Sequence, residues 1–89
     1  MSAMNEISIT VRLFGELRQY APAGIQSRRS FPHSIPSGTT ILQLILRLGI
    51  PIGEHEGPIV AVLNDVEADL GSVIPAGAVL GLFEPLAGG

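Results

Sequence analysis

The chain has 89 residues, a formal net charge of −3, no cysteine and 46% hydrophobic residues. That length supports one domain with a modest core, and a chain without cysteine has neither a disulfide nor a thiolate metal site to staple it. Charged residues make up 15% of the chain, well under the roughly 25% of an average protein, so its surface is unusually neutral and part of it is expected to meet a partner.

The basic residues are scattered arginines with no lysine among them, which argues against a nucleic-acid backbone as ligand. The first residues lack the basic start and apolar run of a signal peptide, and no segment reaches the ~20 apolar residues of a membrane span. These features predict a cytoplasmic protein that binds neither nucleic acid nor membrane.

Residues 6–14 alternate, with Ile7, Ile9, Val11 and Leu13 on one face and Ser8, Thr10 and Arg12 on the other, the pattern of a half-buried strand. Gly15 ends it, and residues 16–21 suit a short helical turn before Pro22 and Gly24. Residues 25–35 predict an edge-like second strand, interrupted by Arg28, Arg29 and Ser30 and by Pro32, which lacks a ladder donor.

Thr40 is the expected N-cap of a helix over 41–48, with Gln43 placed to complete a capping box. Ile41, Leu44, Ile45 and Leu48 have helical spacing, and Leu42 and Leu46 widen the stripe, predicting burial around most of the helix. Gly49 and Pro51 stop it. The apolar run 59–63 reads as a central strand, Asn64-Asp65 as a turn, 66–68 as a brief strand, and 78–83 as the last strand. In that last strand Leu80 and Leu82 share one face, and Val79 and Phe83 share the other. The order predicts an α+β, ubiquitin-like β-grasp fold: a mixed sheet of four to five strands with one main helix across it. The domain is expected over 1–84, followed by a flexible tail over 85–89.

The sequence closes on Gly88-Gly89. Glycine packs nothing, so a pair in this place suits a backbone that must enter a narrow cleft. The bland alternative is a frayed end. An α-carboxylate presented this way becomes a good acyl donor once adenylated, and sulfur could then displace AMP to leave a thiocarboxylate on Gly89. No phosphate-cradling loop and no nucleophile–base pair is evident in the sequence, so catalysis would fall to a partner.

The segments VRLFGELR (11–18), TILQL (40–44), VLN (62–64) and PAGAVLGLFEPLAGG (75–89) resemble the small sulfur-carrier proteins of molybdopterin and thiamine biosynthesis, the ThiS/MoaD-type family. The likeness runs through nearly the whole chain and is strongest to the small subunit of molybdopterin synthase. It implies a non-catalytic subunit or co-substrate without a bound cofactor. A ubiquitin-activating-enzyme-like adenylyltransferase would use ATP to activate Gly89, and a large synthase subunit or another sulfur acceptor would receive the charged tail. Leu86, Ala87 and Gly88 would insert with Gly89. Phe83, on the strand face opposite Leu80 and Leu82 and beside Pro85, is a candidate anchor for docking on the partner, with simple cover for an open sheet face as the equal alternative. Ala78 and Glu84 depart from the family pattern, which has an acidic residue and a proline at those places. A ubiquitin-like protein modifier or interaction domain remains open, as do carriers serving thiamine, cysteine or tungsten-cofactor synthesis.

His55, between Glu54 and Glu56, lacks further ligands at metal-site spacing, and both it and His33 read as solvated histidines, leaving no metal site. Arg28 and Arg29 read as charges guarding an edge strand, with an acidic partner patch as the alternative. Phe14 and Arg18 are expected to brace the first strand against the following turn.

Overall fold

The alternation that opens the chain forms β1, Glu6–Leu13, with Ile9, Val11 and Leu13 buried and Arg12 exposed. It is described here from a computed structural model covering residues 5–52 and 59–85. Tail residues 86–89 and the Glu54-His55-Glu56 loop lie outside the described residues. A 3-10 helix, Gly15–Tyr20, follows β1, and then come β2 (Ser30–Pro36), α1 (Ile41–Arg47), β3 (Val60–Leu63), β4 (Val66–Ala68) and β5 (Val79–Phe83).

The five strands form one mixed sheet in the order β2-β1-β5-β3-β4. Only β1 and β5 pair in parallel, in a register that sets Val11 opposite Leu80 and Leu13 opposite Leu82. The other three pairings are antiparallel. Helix α1 supplies Ile41, Leu44 and Ile45 to the same buried cluster as Val11, Phe31, Ile35, Leu80 and Leu82, so one face of the sheet is covered. This is the ubiquitin-like β-grasp arrangement that the element order predicts.

Helix α1 is anchored at its start. Thr40 caps it with the predicted capping box: the Thr40 hydroxyl accepts from the Gln43 amide at 3.2 Å, and the Gln43 side chain accepts from the Thr40 amide at 2.9 Å. The next two amides, Ile41 and Leu42, donate to the carbonyls of Ser72 and Leu70 at 3.0 and 2.8 Å. Amides that a helix cannot pair internally are thus satisfied by the segment leading toward β5. Leu48 is the C-cap, one residue short of the predicted span.

Two expectations about these elements change. The second strand begins at Ser30 rather than residue 25, because β1 runs out of partners there. The Leu13 amide still reaches the Arg29 carbonyl at 3.0 Å, but Gly15, at φ +60°, then turns the chain into the 3-10 helix. Arg28 and Arg29 therefore precede the edge strand. Leu42 and Leu46 are 37% and 57% exposed, since a helix on one sheet face buries a single stripe and nothing covers its outer side among the described residues. Strand β5 holds the middle of the sheet, and β3, paired with β5 on one side and β4 on the other, is an interior strand as its apolar run predicts. The β3 run is apolar throughout because Val60 and Val62 face a second apolar surface while Ala61 points to the core.

His33, expected to be solvated, is instead half-buried on the core-facing side of edge strand β2, because its parity matches that of Phe31 and Ile35, and its ring lies 5.9 Å from that of Phe31 in an edge-to-face contact. Partial burial, and secondarily the Arg47 charge, push its pKa below the ordinary 6.5. The unfolded chain then binds more protons than the native one as pH falls below 6.5, so stability declines over that window and levels off below the native pKa. The melting temperature is expected to fall between pH 7 and pH 5 more in the wild type than in His33→Gln, as read by circular dichroism. Thr40→Ala should cost about 1 kcal/mol, seen as a lower urea midpoint with an unchanged slope.

Candidate functional site

The sheet face opposite α1 is built by the outward half of the alternation. Arg12 on β1 stands beside Gly81 on β5, which stands beside Val62 on β3. Phe83 pairs with Val60 one step further along. Val79, 40% exposed, lies at the other end of β5, where Asn64 fixes the β3–β4 turn. The Asn64 side-chain oxygen accepts from the Val79 amide at 2.9 Å, and the Asn64 amide donates to the Val79 carbonyl at 2.9 Å. Asn64 and Asp65 both have positive φ, 51° and 71°, as a tight hairpin turn of the strand-compatible hand requires.

Phe14 completes this face. It is 45% exposed, and its ring meets Phe83 edge-to-face at 6.2 Å with planes at 82°. The Arg12 guanidinium lies 5.5 Å from the Phe14 ring centre, within cation–π range. The Phe14 ring lies over Gly81, where a Cβ would stand 3.4 Å from Phe14 Cε1, in van der Waals contact with the ring. The result is a groove of about 420 Å³ lined by Phe14, Val62, Val79, Gly81 and Phe83, with Arg12, Asp65 and Glu84 around it. Its chemistry is that of a docking surface, with an apolar floor and charges at the rim.

Phe83 points outward as the alternation predicts and is half-buried, and Pro85 is exposed at the end of the described chain. Leu86, Ala87, Gly88 and Gly89 lie outside the described residues. Arg18, expected to brace β1 against the turn, instead bonds within the 3-10 helix itself, its Nε donating to the Gly15 carbonyl at 3.1 Å. Phe14 was expected in the same role and instead reaches across to β5. It belongs to the groove because the Phe14 amide donates to Leu82 O at 3.2 Å, which brings its ring over Gly81. The membership of Phe14, Gly81 and Val62 was missed because it depends on which strands are neighbours. Glycine at an outward position of an otherwise apolar strand was the one signal available.

Among the described residues no cluster of three His, Asp or Glu is placed to hold a metal ion, and no helix is long and apolar enough to cross a membrane.

The fold and this face define a class, the ubiquitin-like β-grasp proteins. Solved structures with the same fold include small archaeal modifier protein 1 from Haloferax volcanii, 23% identical with a TM-score of 0.65 over 92% of this chain and 99% of that one. A Pyrococcus furiosus protein provisionally named molybdopterin converting factor, subunit 1, is 21% identical with a TM-score of 0.65, over 90% and 99% of the two chains. Small archaeal modifier protein 1 from Methanosarcina acetivorans is 19% identical with a TM-score of 0.65, over 96% and 99%. No family model and no curated protein matches the sequence.

The Phe14–Phe83 contact is measurable. A double-mutant cycle with Phe14→Ala and Phe83→Ala, followed by urea denaturation, should return a coupling of about 0.5–1.5 kcal/mol beyond the two single losses.

Proposed function

We propose that this chain is a carrier whose Gly89 α-carboxylate is activated and loaded with sulfur by partner enzymes. The observation that supports it most is the position of the chain's last strand. Strand β5 lies at the centre of the sheet and ends at Phe83, on the rim of the apolar groove, with Glu84 and Pro85 leading on toward Gly88-Gly89. An enzyme gripping the groove would therefore have the tail next to its own surface.

In this reading an adenylyltransferase of the ubiquitin-activating type transfers AMP from ATP to the Gly89 carboxylate and releases pyrophosphate. Sulfur at the oxidation level of sulfide then attacks the acyl carbon, AMP leaves, and a thiocarboxylate remains. Phe83 and Pro85, joined now by Phe14 and Val62, make the docking surface, while Leu86, Ala87 and Gly88 enter the partner's cleft. The chain is a co-substrate in the cytoplasm, and a large synthase subunit receives the sulfur for molybdopterin. Support for that acceptor comes from the sequence resemblance and from the name of the Pyrococcus neighbour.

The names of the archaeal modifier neighbours favour a second reading, attachment of Gly89 to lysines of other proteins. One sample separates the two. Incubation with ATP, the adenylyltransferase and a sulfide donor should give an intact-mass species in which sulfur replaces one oxygen at Gly89, and deletion of Gly89 should abolish it. Isopeptide-linked adducts without any thiocarboxylate would decide for the modifier, and neither product would sink both readings.

A further inference from the structure

Three of the five basic residues gather on one surface away from the groove. Arg18 on the 3-10 helix and Arg28 and Arg29 before β2 line a concavity of about 650 Å³ together with Gly15, Gln19 and Ser27. Glu16 is the one acidic side chain lining it. Arg28 and Arg29 are exposed and make no ion pair among the described residues. They lie outside β2, so guarding a strand edge does not account for them, and Pro32 and Pro36 already blunt that edge. Bringing like charges together in an acidic chain costs repulsion that an opposite charge would relieve.

The place of this surface suggests what supplies that charge. The consecutive Leu13 and Phe14 amides donate to the Arg29 carbonyl on one side and the Leu82 carbonyl on the other, at 3.0 and 3.2 Å. The arginine segment and the end of β5 thus flank β1, about 10 Å apart at two strand spacings. The cationic surface and the exit of the tail share one end of the molecule.

We propose that Arg18, Arg28 and Arg29 dock an acidic protein segment, rich in Asp and Glu, that borders the cleft receiving the tail. The placement beside that cleft rests on the carrier reading above, whereas the acidic chemistry of the ligand does not. Exposed guanidiniums at the rim of an interface act by steering encounter, so they raise the association rate and confer salt dependence more than they hold the complex.

Two measurements test this. In the charging assay, Arg28→Glu/Arg29→Glu is expected to lower kcat/KM about tenfold with kcat unchanged, and to flatten the salt dependence seen in the wild type. Arg28→Lys/Arg29→Lys should stay within about twofold of wild type, because charge is what matters. A charge-reversed variant that charges normally, or that loses kcat alone, would overturn the proposal. Independently of any tail chemistry, a synthetic Glu/Asp peptide titrated into ¹⁵N-labelled protein should move amide resonances of residues 15–19 and 27–30, also when Gly89 is deleted. If Gly89 cannot be charged but these resonances move, the carrier reading fails and the acidic docking surface stands. No shift, equal shifts with a polylysine control, or tighter binding of a single-stranded oligonucleotide at the same residues would refute the surface.

Discussion

The parallel pairing of β1 with β5 is the constraint on which the other features depend. Parallel neighbours cannot be joined by a tight turn, so somewhere between them the chain must cross over a sheet face, here on its way from β2 on one side of the pair to β3 on the other. Here that crossover carries α1, and its hydrophobic stripe of Ile41, Leu44 and Ile45 closes the core against Val11, Leu80 and Leu82. The pairing is locked at its start by the Gly77 amide donating to the Ser8 carbonyl at 2.8 Å and the Thr10 amide to the Ala78 carbonyl at 2.9 Å. Because β5 is thereby held between two partners, the chain's last described residues leave from a rigid centre and not from a fraying edge.

The same pairing separates two kinds of surface. Residues facing α1 are buried, and their alternates across β1, β5 and β3 are left on a face that no described element covers. Gly81 lies at the middle of that face, with the Phe14 ring over it and against Phe83. Larger side chains there would fill the groove from below. One turn of chain beyond Phe14, the 3-10 helix packs Leu17 into the core while its exposed side meets the arginine segment. Apolar and cationic surfaces therefore adjoin at the end of β5.

Much of this was legible in the sequence, for identifiable reasons. Period-two alternation in β1 and β5, the Thr40–Gln43 box and the turn at Asn64 are local signals, and each appears in the structure where it was expected. Signals that depend on pairing failed. The start of β2 is decided by where β1 ends, and the burial of Leu42 and Leu46 by how wide a helix stripe one sheet face can cover. Phe14 lies just past a strand end, where alternation no longer says which way a side chain points. Within the candidate site, the outward aspect of Phe83 could be read from residue parity, and the company it keeps could not.

Composition acquires a chemical meaning beside that geometry. On the proposed carrier reading an activated Gly89 acyl group would be an electrophile, and the side chains most able to intercept it are a lysine amine and a cysteine thiol. The sequence contains neither. Arginine supplies the positive charge that flanks the end of β5, and its delocalised guanidinium is a poor nucleophile. On the carrier reading proposed above, a chain that steers itself by charge and bears an activated acyl group needs cations that are not nucleophiles, and five arginines without a lysine meet both demands.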